Sequence, residues 1–561
     1  MVRFVRIRAV FFTVPFILLF FFLAVDSLVD DSPTMDEQNH IARGIAFIKS
    51  GDPRLSLEHP PLINTLSALP LLTEPSIAVP FDDPSWDAPG GWYAFANEFM
   101  WNRGNNPERV TFLARMPILF IMLGMAVVGY HFAREMWGKL SAMFAFVFLL
   151  FDPNLLAHGR YATTDIGGAA MLLLAVFLLW RLWRPRGWDW RRLATAGFGL
   201  GLALGSKLST ALFLPILALM SLLPLYEYPW RFKEALRRLL QLAVASFIGF
   251  LVLWLIYGFE FGPAHFSSGW LRFLDDVSLP IPTYWSGIGQ ILDISGGGRA
   301  SYLLGEFSSS GWWTYFPVTF VVKTPIILLV LIGLSSIILV WNRKSRGRAF
   351  FLLIPSAIYF LVSMQSSLNI GYRHLLPILP FLLILASGLA SPKIKAPKFL
   401  ASRPAFGPAL LLASACIVLV IDLFMHPSYL SYFNLFAGGP ENGHKVIVDS
   451  NIDWGQDMKR LKEWIDENDI DEVKLSWFGT ANPDYYGIQY EPLPGLPYYY
   501  NLWWDVPFDT QSPEPGIYVI SVSNLWEIPL ENKTVFAWFR DRTPDEKIGY
   551  SIFIYLVDGD A

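Results

Sequence analysis

Cysteine is almost missing from this 561-residue chain. Cys416 stands alone, which excludes a disulfide framework and any zinc or iron–sulfur centre held by cysteines. Charge is scarce as well. Only 16% of residues are Asp, Glu, Lys or Arg, against about 25% in soluble domains; 53% are hydrophobic and mean hydropathy is +0.40. A single water-soluble globule and a disordered chain are both excluded. Neither a P-loop nor a GxGxxG opening a βαβ unit occurs, which argues against nucleotide-driven transport. The net charge of −4 is unevenly divided. Residues 1–426 hold 34 Lys and Arg against 25 Asp and Glu, whereas 427–561 hold 9 against 22. A hydrophobic, cationic block precedes a polar, acidic one, and only the first belongs in lipid. An acidic tail without a basic aromatic surface makes nucleic acid an unexpected partner.

Eleven stretches have the apolarity of membrane helices: 9–25, 112–132, 140–156, 164–182, 193–206, 208–225, 239–257, 318–341, 349–364, 375–390 and 407–425. Several are short, and 193–225 also reads as one long helix. With a cytoplasmic N-terminus, the inner segments are 1–8, 133–139, 181–192, 230–238, 342–348 and 391–403. They hold 22 of the chain's 43 Lys and Arg, the bias expected of cytoplasmic loops. Arg3, Arg6 and Arg8 lead into a first span without an evident cleavage site, which reads as a retained signal anchor. An odd number of spans then places 427–561 outside the cytoplasm. The expectation is an α-helical polytopic membrane protein in the cell membrane, with a transmembrane block 1–426 and an extracytoplasmic α/β domain 427–561.

Two outer loops are long, 26–111 and 258–317, and long ordered loops usually carry function. In the tail, Lys445–Val448, Val473–Phe478, Gly516–Val522 and Ser551–Val557 read as strands. Asp453–Asn468 reads as a helix with Trp454, Met458, Leu461 and Ile465 on one face.

Polar groups gather where lipid makes them costly. Asp36, Glu37, His40, Glu58, His59, Arg160, Asp165, Lys207, Lys323, Arg373 and His374 all fall at or near the outer membrane face, from six stretches of chain. Carboxylates with several cations suit a reaction with a general base and an anionic leaving group. Each residue also has a plainer reading. Thr34-Met-Asp-Glu37 is a capping box, with Thr34 as N-cap and Glu37 at its third position. Asp36 and His40, four apart, form a hydrogen-bonded pair or part of a metal site. Asp165 caps a span, Lys207 snorkels, and Arg160 and Arg373 anchor at the interface. Asp449-Ser-Asn-Ile-Asp453-Trp-Gly-Gln-Asp457 invites a calcium reading but departs from the EF-hand at Trp454 and Arg460; capping of the next helix is the simpler role, a sugar-facing surface the second. Asn532-Lys-Thr534 is a glycosylation sequon, meaningful in a eukaryotic secretory host.

Met35-Asp36-Glu37, Gly51-Asp52-Pro-Arg54 and Glu58-His59-Pro60-Pro61-Leu62 resemble the GT-C membrane glycosyltransferases. Within these the chain is most similar to glycosyltransferase family 39, the protein O-mannosyltransferase-like group, and to the aminoarabinose transferases of lipid A. Gly159-Arg160-Tyr-Ala-Thr-Thr164-Asp165, Gly201-Leu-Ala-Leu-Gly-Ser-Lys207, Lys323-Thr324-Pro325 and Gly371-Tyr-Arg373-His374-Leu-Leu-Pro377 follow in order, over most of 1–390. The resemblance implies a GT-C fold with about eleven to thirteen spans. It also implies an outer-face active site, a polyprenyl-phosphate sugar donor and inversion at the anomeric carbon. By it, Asp36 is the first-loop carboxylate that acts as base or orients the acceptor, and Glu37 beside it is the second catalytic residue. His59, Arg160, Lys207 and Arg373 contact the donor phosphate, and His40, Glu58, Asp165, Lys323 and His374 bind substrate or support them. No cofactor is implied with certainty, and a divalent metal stays open. The acceptor is a protein, lipid or glycan; the MIR domain of the eukaryotic mannosyltransferases is not apparent, and the tail resembles that of prokaryotic members. The alternative function is a transporter or flippase of lipid-linked sugars, which places its charges near the bilayer midplane. A weaker one is a non-catalytic glycan-binding scaffold.

Overall fold

The computed structural model describes residues 2–558 apart from 186, 228–230, 267–271, 273, 274, 276, 392–405, 496–507 and 527–531. The basic segment expected at 391–403 therefore lies, except for Ser391, outside the described residues. All eleven apolar stretches fall on helices. Six of these are long and apolar enough to cross a membrane: Pro107–Met136, Thr164–Trp183, Leu208–Leu225, Phe232–Ile256, Arg346–Ser363 and Phe406–Met425. The chain is a multi-pass membrane protein. Lys139–Phe151 and Leu379–Ala390 are apolar but shorter, and Thr13–Val29 is the apolar part of the 28-residue helix Val2–Val29.

Two of the apolar regions are interrupted beside residues expected at the site, Lys207 and Lys323. The stretch 193–225 is not one helix: Trp190–Leu204 ends, and Lys207 is extended at φ −158° before the chain turns helical again at Leu208. The helix before this break lies close against Phe232–Ile256. A Cβ on Gly197 or Gly201 would come within 2.6 Å of Ile248 Cβ or 2.5 Å of Val252 Cβ, so only glycine permits this approach. The stretch 318–341 is likewise no single straight helix. Tyr315–Lys323 and Ile326–Trp341 meet at 111° across Thr324–Pro325. Pro325 has no N–H to continue the ladder, and the carbonyls this releases find other donors. Asn434 Nδ2 donates to Val321 O (2.6 Å) and Thr324 O (2.7 Å), the Asn434 amide to Val322 O (2.9 Å), and Asn154 Nδ2 to Lys323 O (2.8 Å).

The first long loop is ordered. Its helix Glu37–Ser50 packs with Pro61–Ala68 and with Phe95, Phe99 and Met100 around a small core of its own. Expected box geometry forms only by half. The Glu37 carboxylate accepts from the Thr34 amide at 2.9 Å, but Asp36, not Thr34, stands at the N-cap, and Thr34 Oγ1 has no partner among the described residues.

In the tail, Tyr490–Pro492, Val473–Ser476, Gly516–Ser521, Ile552–Val557 and Glu546–Ile548 form a sheet in that spatial order. The first three run parallel and the last two antiparallel to their neighbours. Met458–Glu467 covers it through Met458, Leu461 and Ile465, the predicted face less Trp454. Two boundaries are corrected. Lys445–Val448 is no strand: Pro440–Lys445 is a 3₁₀ turn, and Ile447 and Val448 bury into the membrane-side core. The helix starts at Met458, not Asp453, because residues 449–457 thread between membrane loops. The Ser32 amide donates to Gln456 O (2.9 Å), the Met35 amide to Trp454 O (2.8 Å) and Ser32 Oγ to Gly455 O (3.0 Å).

Buried ion pairs knit these parts together. Glu37, fully buried, accepts from Arg115 Nε (2.9 Å) and Nη2 (2.7 Å), from the Ala162 amide (2.7 Å) and from Thr34. Arg115 spends its remaining donors on the carbonyls of Leu28, Asp31 and Ser32. Breaking such a pair leaves an uncompensated charge, at a cost of about 3–5 kcal/mol. Arg115→Leu should therefore lower the thermal unfolding midpoint of the purified protein steeply, whereas Arg54→Leu, which breaks an exposed pair, should leave it within a degree or two.

Candidate active site

The residues gathered by the sequence separate into two groups once their partners are known. Asp36 and Arg373 meet directly, Arg373 Nη1 lying 2.5 Å from Asp36 Oδ2. Asp36 opens the helix Glu37–Ser50 without its carboxylate capping it, and it keeps about a fifth of its surface exposed. Arg373 rides on the 3₁₀ turn Tyr372–Leu375. The tail holds that turn: Ser450 Oγ donates to Ile370 O (2.5 Å), the Tyr372 amide donates to Asn451 Oδ1 (2.8 Å), and the guanidinium lies 4.5 Å from the centre of the Trp454 ring. A second pair stands beside the first. Lys207, from the break after Leu204, contacts Asp165 in the first turn of Thr164–Trp183, and Thr163 Oγ1 donates to Asp165 Oδ2 at 3.2 Å. Arg373 lies in the field of both Asp36 and Asp165, which joins the two pairs into one cluster.

His40 and His59 complete it, their rings edge to face at 4.6 Å. His40 Nδ1 shares a 3.0 Å hydrogen bond with Asn64 Oδ1, and His59 Nδ1 one of 3.3 Å with Thr164 Oγ1. Burial, reinforced by Arg43, pulls the His40 imidazole down to about 4, and burial with His40 and Arg43 takes His59 well below its ordinary value. At these values both rings are neutral at pH 7, so neither histidine adds a positive charge to the cluster. Burial pushes the Asp36 carboxyl up, but Arg373 and His40 outweigh it and hold the group below the usual carboxylate range. Glu58 pairs with Arg43 at 3.3 Å, next to the histidines. His374 lies in the field of Lys207, Arg373, Asp165 and Asp36, and its carbonyl accepts from Tyr359 Oη at 3.1 Å.

Three expected site residues have their polar groups engaged away from this cluster. Arg160 is buried, with Nη1 on Asp31 Oδ2 (2.5 Å) and Ser27 O (3.0 Å) and Nη2 on Tyr161 Oη, so its charge is already answered by Asp31 inside the fold. Glu37 is saturated by Arg115 and backbone amides and cannot take a proton from an acceptor. Lys323 turns away to the tail, donating to Leu430 O (2.8 Å) and Asn451 O (2.6 Å). Among the described residues, no three His, Cys, Asp or Glu side chains stand close enough to hold a metal ion.

Residues 89–267 match the family described as dolichyl-phosphate-mannose-protein mannosyltransferase. That span carries Asp165 and Lys207, and the family is the group to which the sequence motifs point. No curated protein matches the chain. Among solved structures, the chain is similar to ArnT from Cupriavidus metallidurans bound to undecaprenyl phosphate, at 13% identity over 97% of each chain with a TM-score of 0.49. It is also similar to the archaeal oligosaccharyltransferase AglB from Archaeoglobus fulgidus in complex with an inhibitory peptide and a dolichol-phosphate. There the identity is 13% over 74% of this chain and 55% of that one, with a TM-score of 0.43.

Sequence reasoning missed three groups at the cluster's rim. Asp449, in the tail, lies in the field of Arg299, Arg373 and Asp36; burial raises its carboxyl and the two arginines oppose that. Its place in an acidic run was visible, but as a helix cap; the helix begins nine residues later. Tyr93, from the first loop, feels Asp36, Arg299 and Glu58. Trp454, expected on the helix's sheet face, instead backs Arg373.

The histidines give the site a pH signature. In the unfolded chain His40 titrates near 6.5 and in the fold near 4, so the unfolded state takes up the proton first as pH falls. The stabilisation it contributes is complete above pH 6.5 and disappears between 6.5 and about 4. Unfolding midpoints followed over that window should fall with acid, and His40→Gln should flatten the slope by about one proton.

Proposed function

We propose that this protein is a GT-C-type glycosyltransferase that moves a sugar from a polyprenyl-phosphate donor to an acceptor, with inversion. The observation that carries the reading is the pair Asp36–Arg373 beside Asp165–Lys207: two carboxylates and two cations at one end of an apolar bundle, with the Asp36 carboxylate partly exposed. The family match over 89–267 supports the same chemistry. In this reading the acceptor's hydroxyl or amine attacks the anomeric carbon, Asp36 receives its proton, and the bond from that carbon to the phosphate oxygen breaks. The electron pair leaves with polyprenyl phosphate, whose charge Arg373 and Lys207 stabilise. A carboxylate locked to a guanidinium is a weak base. Donor phosphate competing for Arg373 loosens that lock and raises the basicity of Asp36 when donor is bound. Asp165 keeps Lys207 in place, and His59 donates a neutral hydrogen bond. The charges gather at one end of the helices rather than midway, which favours transfer over the carrier reading.

The charge asymmetry of the loops supports an extracytoplasmic site, reached by the acceptor from the aqueous side, with 427–561 as a tail domain on that side and 1–426 as the membrane block. Protein, lipid and glycan acceptors all fit a proton-accepting carboxylate. In membranes supplied with labelled lipid-linked sugar, Asp36→Asn should cut transfer by about 10²–10⁴-fold, the range of a lost general base. The same variant should still bind donor and still elute as a folded protein; transfer at the wild-type rate would refute the role of Asp36.

A further inference from the structure

The far end of the bundle holds a cavity that the transfer reading does not use. Thr164–Trp183 carries Asp165 at its start; its other end lies 20 residues, about 30 Å, away. There a half-open cavity of about 780 Å³ is cut between this helix end, Leu223 and Pro224, and the start of Arg346–Ser363. Six cations line it: Arg184, Arg238, Arg343, Lys344, Arg346 and Arg348. No Asp or Glu does. Its remaining wall is aromatic, from Trp180, Trp183, Phe350 and Phe351.

The cations are incompletely neutralised. Arg184 pairs with Glu135 at 2.8 Å and Arg238 with Glu234 at 3.2 Å. Arg346 Nε donates to Val340 O (2.9 Å) and Arg348 Nη1 to Met136 O (2.8 Å), so both are held in place by neutral carbonyls. Arg343 and Lys344, on the exposed turn before the helix, have no carboxylate within ion-pair distance among the described residues. Arg346 and Arg348 also stand in the first turn of an 18-residue helix, where the backbone dipole is already positive and a basic residue is unfavourable. Positive loops alone set topology by their charge count. That rule needs no convergence of guanidinium groups on one cavity, nor tryptophans beneath them. Fixed guanidinium forks over an aromatic floor suit a phosphate whose attached chains run along apolar surface. The volume is within the range of about 300–1,000 Å³ typical of small-molecule sites.

We infer that this cavity binds a phosphate-bearing anion, with the headgroup of an anionic lipid as the source that fits both its cations and its aromatic wall. The inference is independent of the transfer reading, since none of its residues lies in the Asp36 cluster. The test uses the full-length protein in phosphatidylcholine nanodiscs with and without phosphatidylglycerol. Retained lipid is counted by native mass spectrometry, and inorganic phosphate is added in a parallel arm. Wild-type protein should retain phosphatidylglycerol and unfold at a higher temperature when it is present. The double variant Arg343→Gln/Lys344→Gln should retain about tenfold less, with its unfolding midpoint in pure phosphatidylcholine unchanged. Retention indifferent to millimolar inorganic phosphate assigns the site to lipid. Displacement by it, with the same thermal protection, assigns the site to a soluble phosphate. Equal retention by wild type and double variant, or no thermal shift from either ligand, overturns the site.

Discussion

A carboxylate placed inside an apolar bundle must be answered there, because no water will do it. Glu37 meets that demand completely, with four donors from three separate stretches of chain. Asp31 meets it with Arg160 and Tyr161 on one oxygen and Arg460 of the tail facing the other. Between them the two acids tie together the end of the first helix, the entry to the first loop, the helix Pro107–Met136, the turn at 160–162 and the helix Met458–Glu467. Asp36 is the residue next to Glu37. Its position relative to the membrane helices is therefore fixed by a neighbour that takes no part in the chemistry proposed here, and a rigid support of this kind is what a reactive carboxylate requires.

The acidic tail is built into the same support. Its charge and its sheet distinguish it from the helical part, but residues 449–457 sit against membrane loops as closely as against their own sheet. Asn451 shows this most plainly. Its side chain accepts from the Tyr372 amide and donates to Tyr315 Oη at 3.1 Å, and its carbonyl accepts from Lys323. Trp454 supports the Arg373 guanidinium from the same segment. A change confined to the tail can thus reach the Asp36–Arg373 pair through two contacts.

Composition made the helices legible, since each apolar stretch needs only its own residues to announce itself. Position along the chain also made legible that polar groups gather at one end of them. What the sequence withheld was partnership. Arg160 and Asp31 are 129 residues apart, Lys323 and Leu430 107 apart, and nothing local distinguishes an arginine meant for a phosphate from one meant for a buried aspartate. The strand expected at Lys445–Val448 failed for the same reason: its β-branched residues are buried, as the pattern said, but against helices and not in a sheet. The break at Pro325 falls inside the apolar run 318–341, which reads as one stretch by composition. Its meaning depended on Asn434 and Asn154, whose side chains accept the role of the missing ladder.

Solvent access separates ion pairs that side-chain type alone cannot. Glu37–Arg115 and Asp31–Arg160 are sealed, at 1% exposure or less, and every donor of Arg115 has a fixed acceptor. No ligand can enter such a pair without undoing the fold. Asp36–Arg373 is 22% and 13% exposed, and Asp36 Oδ2 is held by one guanidinium contact. A pair like that is strong enough to keep both side chains in place while the site is empty, yet weak enough in partly wet surroundings for an incoming anion to take the arginine. The first kind of pair places the groups and the second is free to exchange partners, which is what the role proposed for Asp36 asks of the residue next to Glu37.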